Sequence, residues 1–164
     1  MYNDRINEFD IAVKLFKQRK FRESEKILLQ ILEDKRKDKY ALFQLGKIRI
    51  ALNDKKGAEQ YFKECLYYFP NNKYPMLELG KLYAKQGKEK EAEQQFEKYI
   101  EIDRDRTPHA RLELGRLYIK QGKEKEAEQQ FEKCIEIGQD RSPHARLELG
   151  RLYIKQGKEK EAEQ

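Results

Sequence analysis

The stretch ARLELGRLYIKQGKEKEAEQ occurs twice in this chain, at Ala110–Gln129 and again, unchanged, at Ala145–Gln164. A catalytic site needs a few unlike residues that converge once, whereas a verbatim repeat builds the same local structure twice. Glycines mark the period of this repetition. They recur at intervals of 34, 35 and 35 residues, at Gly46, Gly80, Gly115 and Gly150. The sequence therefore predicts an array of similar units.

Other residues keep the same register with those glycines. A tyrosine follows three of these glycines by three residues, an alanine follows all four by twelve, and a phenylalanine follows three by sixteen, as in Tyr118, Ala127 and Phe131. An N-terminal unit fits if alanine, serine and leucine take the glycine, alanine and phenylalanine positions, at Ala12, Ser24 and Leu28. We place the units at about residues 5–38, 39–72, 73–107, 108–142 and, incomplete, 143–164, as one array over residues 1–164.

Each unit is predicted to be a pair of antiparallel helices. Thr107 is expected to cap the first helix of the fourth unit, with Pro108 in the first turn, and Ser142-Pro143 repeats this arrangement. Gly122 is expected to end that helix in a left-handed conformation. The second helix is then predicted from about Glu124 to Gly138.

Apolar spacing explains why a single pair is not expected to be stable alone. The first helix carries a stripe at i, i+4, i+7 and i+8, formed by Ala110, Leu114, Leu117 and Tyr118. A second helix with only one apolar stripe covers one side of it, so the next pair must cover the other. Gly115 and Ala127 leave room for Phe131. The prediction is an all-α chain, an α-solenoid of stacked helix pairs.

Leu114-Gly115, Tyr118, Ala127 and Phe131 together resemble the tetratricopeptide repeat (TPR). Gly46, Ala58, Phe62 and Pro70 match the same pattern in an earlier unit. The resemblance implies a right-handed superhelix whose first helices line a concave groove, and a non-enzymatic scaffold that binds a partner protein or peptide there. The chain departs from the pattern where the family often has a bulky aromatic, at Leu42, Met76, Arg111 and Arg146.

Mapping the concave face of that family onto this chain gives a set of expected groove residues on the first helices. They are Tyr40, Phe43, Lys47, Ile50, Tyr74, Leu77, Lys81, Lys85, His109, Leu112, Arg116, Ile119, Lys120, His144, Leu147, Arg151 and Lys155. Cations recur along this set at the repeat period and alternate with apolar residues, which suits an acidic peptide. In the alternative interpretation, the cations pair with glutamates on the same helices, at Glu78, Glu113 and Glu148.

Two other functions stay open at the level of sequence. A period of 35 residues also resembles pentatricopeptide repeats, which implies binding of single-stranded RNA, although the fourth and fifth units place only His109 and His144 where stacking aromatics would be needed. The second open alternative is a purely structural or designed repeat array with no ligand of its own. With 36 basic and 30 acidic residues, mostly interleaved, the net charge of +6 is weak support for nucleic acid.

No motif in the sequence predicts an enzyme, a metal site or a cofactor. The two histidines occupy one repeated position, with no cysteine nearby to complete a zinc site. Cys65 and Cys134 lie in helical apolar stripes and are expected to be buried, reduced thiols, which favours the cytoplasm. No apolar run reaches membrane-spanning length, and the N-terminus is too charged for a signal peptide.

The sequence ends within the second helix of the fifth unit. Without a counterpart of Phe131, three residues of the preceding helix are expected to be partly uncovered, at Leu149, Leu152 and Tyr153. An open apolar strip of this kind attracts another helix. We therefore expect either more chain after Gln164 or end-to-end self-association.

Overall fold

The computed structural model describes residues 2–35, 37–104, 106–138 and 142–157. Within those residues the chain forms nine α-helices and no strand, which confirms the all-α prediction. The helices are α1 (Tyr2–Lys17), α2 (Phe21–Asp34), α3 (Lys39–Ala51), α4 (Lys55–Tyr68), α5 (Lys73–Lys85), α6 (Glu89–Asp103), α7 (His109–Lys120), α8 (Glu124–Gly138) and α9 (Pro143–Lys155).

The helices alternate between two roles within successive pairs. The first helices are α1, α3, α5, α7 and α9, and the second helices are α2, α4, α6 and α8. Only three residues connect the two helices of a pair, so the second helix must run back along the first. The chain divides into two compact units, residues 1–79 and 80–164, and α5 contributes to both.

The first unit has a core built from facing stripes of α1 to α4. Leu28, Leu45 and Ile48 are fully buried there, with partly buried aromatic rings packed around them. Ser24, in the position that is alanine in later units, donates its hydroxyl proton to the carbonyl of Ala12 over 2.7 Å. A buried hydroxyl is thereby satisfied by the backbone of the partner helix.

In the second unit, α7 packs against α6 and α8, and α9 packs against α7 and α8. The residues that fill this core recur at the repeat period: Phe96 and Phe131 are fully buried, and Leu82, Leu117 and Leu152 are nearly so. The helix-period stripes of the sequence are therefore the buried faces of the second unit.

Each of three helix pairs brings a glycine of the first helix against a phenylalanine ring of the second. A Cβ atom added to Gly115 would lie 2.5 Å from a ring carbon of Phe131, and the equivalent positions Gly46 and Gly80 face Phe62 and Phe96 at least as closely. Real Cβ contacts are essentially never this short, so these positions have room only for a hydrogen. The expected close approach at Gly115 is confirmed.

A left-handed residue ends the first helix of each pair. Gly122 has φ of 73°, as predicted, and the next amide, that of Lys123, donates to the carbonyl of Tyr118 over 2.9 Å. This is the hydrogen-bond pattern that reverses a chain after a helix. Arg19 and Asn53 take the same conformation in the first unit, with φ of 62° and 59°.

Thr107 does not cap α7, and the prediction of a threonine cap is wrong. The N-cap position is taken by Pro108, and the Thr107 hydroxyl instead donates to Oδ2 of the buried Asp103 over 2.7 Å. Tyr99 places its hydroxyl 3.0 Å from the same oxygen of Thr107. A hydroxyl bonds more strongly to a carboxylate than to a neutral partner, so Thr107 stabilises the turn before α7.

Ser142 occupies the N-cap position of α9, ahead of Pro143, as the sequence indicates, but its side chain caps nothing. Its hydroxyl donates to the carbonyl of Cys134 over 3.0 Å and occupies the space where a side chain at Gly138 would lie. Asp103 and Thr107 in one repeat are thus replaced together by Gly138 and Ser142 in the next.

We expect Gly115→Ala to lower the free energy of unfolding by about 2 kcal/mol. Overpacking a filled core costs about 1–3 kcal/mol, and the upper end applies because the Phe131 ring is fully buried and cannot turn away. The better helix propensity of alanine offsets about 1 kcal/mol of that cost. Denaturant unfolding followed by circular dichroism measures the difference.

The matched control is the double variant Gly115→Ala/Phe131→Leu, which copies the pair Ala12 and Leu28 of the first two helices, α1 and α2. Since leucine vacates the space that the new methyl group needs, the double variant should be more stable than the sum of the single losses by at least about 1 kcal/mol. Strictly additive losses would contradict the glycine–ring account.

Candidate functional site

All seventeen residues predicted for the groove lie outside the hydrophobic core. None of them is buried, and His109, His144, Arg151 and Lys155 are exposed. They also lie on the first helices α3, α5, α7 and α9. The structure thus leaves these side chains accessible, while their binding role stays a prediction.

Four of the predicted cations come together in the second unit. Lys81 and Lys85 at the end of α5, with Arg116 and Lys120 of α7, line a cavity of about 330 Å³. Ala84, Glu113 and Leu117 complete the lining. We call this cavity the cationic pocket. The lining itself has four cations and one carboxylate, a composition that favours an anionic ligand.

Some cations of the predicted groove are neutralised by the chain itself. Arg116 donates to Glu113 over 3.2 Å and to Glu148 over 3.1 Å, and Arg151 lies 3.7 Å from Glu148. These pairs are the alternative that the sequence left open, in which groove cations meet glutamates on the same set of helices. Two of the groove cations, Arg116 of α7 and Arg151 of α9, are thus paired with Glu148 and are partly neutralised by it.

Lys155 is also engaged, by a residue that the sequence did not indicate. Its ammonium lies 2.6 Å from Glu124 at the start of α8, and Gln156 donates to the same carboxylate over 3.3 Å. Hydrogen bonds from Lys155 and then from Gln156 lower the pKa of the Glu124 carboxyl. The end of α9 is therefore close to neutral in its local charge.

Lys85 and Lys120 differ from these cations. Among residues 2–35, 37–104, 106–138 and 142–157, neither lysine forms an ion pair or a side-chain hydrogen bond. Both are exposed, and both line the cationic pocket. They are the charges that an incoming anion can bind without displacing a carboxylate of this chain.

The first unit presents a different surface, made of aromatic rings and lysines. Tyr40 and Tyr74 are 58% and 56% exposed, and the ring centroids of Phe43 and Tyr74 lie 6.1 Å apart. The ammonium of Lys47 lies 5.8 Å from the ring centroid of Phe43. The other predicted groove residues of this unit, Ile50 and Leu77, are exposed and half-buried respectively.

The residues predicted for self-association are only partly available. Leu149 and Tyr153 are half-buried, but Leu152 is 3% exposed, so the prediction that it is uncovered is wrong. Leu152 is equivalent to the buried Leu117, and it lies on α9, which packs on α7 and α8. The residues that would continue the array fall largely at 158–164, outside the described residues.

The two cysteine thiols lie in the hydrophobic core, where solvent and reagents have little access to them. Cys65 and Cys134 are free and buried. Burial raises the pKa of the Cys65 thiol to about 11 and also raises the pKa of Cys134, so both stay protonated near neutral pH. In the described part of the chain, no cluster of three His, Cys, Asp or Glu could hold a metal ion, and no helix has both the length and the apolar surface to cross a membrane.

Three tetratricopeptide-repeat family models match the chain, at residues 9–73, 49–110 and 108–140. The chain belongs to the tetratricopeptide-repeat family. This repeat is a scaffold for protein–protein interaction, and its proteins are generally not catalysts. A comparison with curated proteins gives no match.

Solved TPR structures share the fold across nearly the whole chain. PilF from Pseudomonas aeruginosa has a TM-score of 0.89 at 18% identity, covering 97% of this chain and 72% of that one. MamA from Desulfovibrio magneticus has a TM-score of 0.80 at 18% identity, and the match covers 96% of this chain and 88% of MamA. A thermophilic TPR protein from Thermus thermophilus has a TM-score of 0.75 at 20% identity, and the match covers 96% of this chain and 86% of that protein. At these identities the likeness concerns the fold alone.

Sequence reasoning missed several residues that shape these surfaces. Lys39 and Lys73 each place an ammonium over the tyrosine that follows them, and Glu124 pairs with Lys155. A signal for the first two was present, because Lys-Tyr recurs after 34 residues at the start of α3 and α5. Nothing in the sequence distinguishes Glu124 from the other glutamates of α8.

We expect Lys155→Met to raise the pKa of Glu124 toward the usual range, because it removes the strongest hydrogen bond to that carboxylate. A carboxyl with a lowered pKa in the folded state adds stability above its unfolded pKa and loses it as pH falls through the folded pKa. An NMR titration of the side-chain carboxyl carbon measures the shift. The control is Lys133→Met, which removes an exposed charge from α8. An unchanged pKa in Lys155→Met would contradict the pairing.

Proposed function

We propose that this chain is a non-enzymatic scaffold that binds an acidic segment of a partner protein at the cationic pocket of its second unit. The observation that carries the proposal is the pair Lys85 and Lys120, which form no ion pair with any residue that the structure describes and lie beside Lys81 and Arg116. Family membership supports the general role of protein binding, and the charge of the pocket supports the acidic character of the partner.

The pocket has the composition that recognition of carboxylates requires. Leu117 and Ala84 supply an apolar floor, while the lysines extend from it as point charges on flexible stems. Arg116 is already paired with Glu113 and Glu148, so the charge that a ligand meets in this pocket comes mainly from the lysines. An extended segment with two or more glutamates or aspartates fits this arrangement.

The adjoining surface between α7 and α9 is a poorer candidate. Its cations repeat those of the pocket in sequence, since Arg151 and Lys155 are equivalent to Arg116 and Lys120. However, Arg151 and Lys155 face Glu148 and Glu124. An anion there must compete with carboxylates that are already paired, so it gains little.

The rest of the proposal follows from the thiols. Two free, buried cysteines suit a reducing compartment, which makes the cytoplasm the proposed location. Single-stranded RNA remains the competing ligand for a cationic surface. The pocket lining contains no aromatic side chain on which a base could stack, which counts against RNA at this site.

The test is fluorescence anisotropy with a labelled hexaglutamate peptide. We expect Lys85→Gln/Lys120→Gln to raise the Kd about tenfold, which corresponds to about 1.4 kcal/mol. The matched control is Lys125→Gln/Lys133→Gln, which removes the same charge from exposed positions of α8 and should change the Kd less than about twofold. Labelled oligouridylate is titrated in parallel.

Equal losses in the two double variants would mean that hexaglutamate responds only to net charge, and the proposed site would be wrong. Tighter binding of oligouridylate than of hexaglutamate, lost in Lys85→Gln/Lys120→Gln, would replace the acidic protein partner by RNA. Both measurements are made at low and at physiological salt, because screening weakens exposed charge interactions.

A further inference from the structure

We propose that the first unit carries a second recognition surface, for a peptide segment in which aromatic residues stand next to acidic residues. The surface consists of Tyr40, Phe43 and Tyr74 together with Lys39, Lys47 and Lys73, and we call it the aromatic surface. The inference rests on the proposed scaffold role, but it is independent of the cationic pocket, which lies in the second unit.

The aromatic surface differs in chemistry from the later repeats at the start of the first helices. Lys-Tyr opens both α3 and α5, at Lys39-Tyr40 and Lys73-Tyr74, whereas Pro-His stands at the equivalent positions of the later repeats. Both tyrosines are more than half exposed although tyrosine is usually buried to a larger extent. Exposed aromatic residues that recur at one repeat position are typical of a binding surface.

Ring and ammonium groups alternate across this surface. Phe9 contacts Tyr40 and Phe43 contacts Tyr74, with ring centroids 5.9 and 6.1 Å apart and planes tilted by 55° and 46°. Tilted rings at this separation attract each other, and a further aromatic ring can join such an array in the same geometry. The Lys47 ammonium lies between two phenylalanine rings, 5.1 Å from the centroid of Phe16 and 5.8 Å from that of Phe43.

The lysines decide which class of ligand the surface suits. The ammonium of Lys39 lies 4.9 Å above the ring centroid of Tyr40, and that of Lys73 lies 5.6 Å above that of Tyr74. A nucleic-acid base needs a free ring face on which to stack, and here a cation occupies one face of each tyrosine. A peptide can pack an aromatic side chain against the ring edges while its carboxylates bind the ammonium groups where they already lie.

The spacing of the surface sets the spacing of the peptide. The ring contact between Phe43 and Tyr74 shows that α3 and α5 are neighbours, and packed helices lie about 8–10 Å apart. A peptide in the polyproline II conformation advances about 3.1 Å per residue and returns to the same face every three residues, so two aromatic residues that engage neighbouring helices stand about three positions apart. Acidic residues between and beside them then face the lysines.

The probe is the peptide acetyl-Glu-Trp-Glu-Glu-Trp-Glu-amide. Because the protein contains no tryptophan, the fluorescence of the peptide reports binding directly. We expect Tyr40→Ala/Tyr74→Ala to weaken binding at least about tenfold, and Tyr40→Phe/Tyr74→Phe to keep it within about threefold, since the rings carry the contact. The matched control is Tyr67→Ala, which removes an 81% exposed tyrosine from α4 and should leave binding unchanged. Circular dichroism confirms that each variant is folded.

Specificity is tested with competitors. Acetyl-Glu-Ala-Glu-Glu-Ala-Glu-amide should displace the probe only at concentrations at least about tenfold higher than the tryptophan peptide itself requires, because it lacks the rings. A short oligothymidylate should not displace the probe better than the alanine peptide does, because an ammonium over one face of each tyrosine and a tilted neighbouring ring hinder stacking of a base.

Three results would overturn the inference: no binding of the tryptophan peptide, an equal loss in Tyr67→Ala, or displacement by oligothymidylate as strong as by the tryptophan peptide. Because the glutamates of the tryptophan peptide also suit the cationic pocket, its titrations are made in the Lys85→Gln/Lys120→Gln background. Failure of the cationic pocket is then distinguishable from these results, since binding at the first unit does not depend on that pocket. Conversely, Tyr40→Ala/Tyr74→Ala should not change the binding of hexaglutamate.

Discussion

The contact of a glycine with a phenylalanine ring inside the helix pair is the constraint on which the rest of this structure depends. At Gly115 there is no room for a methyl group, because the ring of Phe131 lies where it would be. The second helix uses its single apolar stripe for this contact, and its other faces are charged. The first helix is left with further faces that its partner does not cover, and these faces stack on neighbours or carry binding residues.

This arrangement lets the core stay constant while the surface changes. The Gly, Ala and Phe positions recur from pair to pair, and the first helix pair, α1 and α2, departs from them at all three together, with Ala12, Ser24 and Leu28. Residues outside the core do not have to change together with the Gly, Ala and Phe positions. Hence the first unit can expose Tyr40 and Tyr74, while the equivalent positions of the later repeats carry histidine. On the two proposals made above, one fold would support two recognition chemistries.

Much of this could be predicted from the sequence, since periodicity reports which faces are buried. The helix bounds of α8, the left-handed end at Gly122 and the close approach at Gly115 were all predicted from spacing and residue type. The hydroxyl of Thr107 could not be, because its choice between a cap and the buried Asp103 depends on three-dimensional proximity. Leu152 was expected to be uncovered, and only the packing of α9 shows that it is not.

The pairing of surface charges is the part that sequence predicts least. Lys120 and Lys155 lie in identical stretches of sequence, yet Lys155 pairs with Glu124 whereas Lys120 has no ion pair among the described residues. Exposed ion pairs contribute about 0–1 kcal/mol, so small differences in neighbouring helices decide which of them form. The candidate site depends on which lysines remain without an ion pair among the described residues, and side-chain positions are needed to identify them.

The central claim is that an acidic partner binds to first helices in the second unit and not to the charged second helices beside them. Backbone amide NMR of the isotope-labelled chain during a titration with hexaglutamate tests this most directly. The account predicts that the shift changes concentrate in residues 80–85 and in α7 (His109–Lys120), with α8 (Glu124–Gly138) unaffected. Changes centred on α8, or spread evenly over exposed lysines, would contradict it.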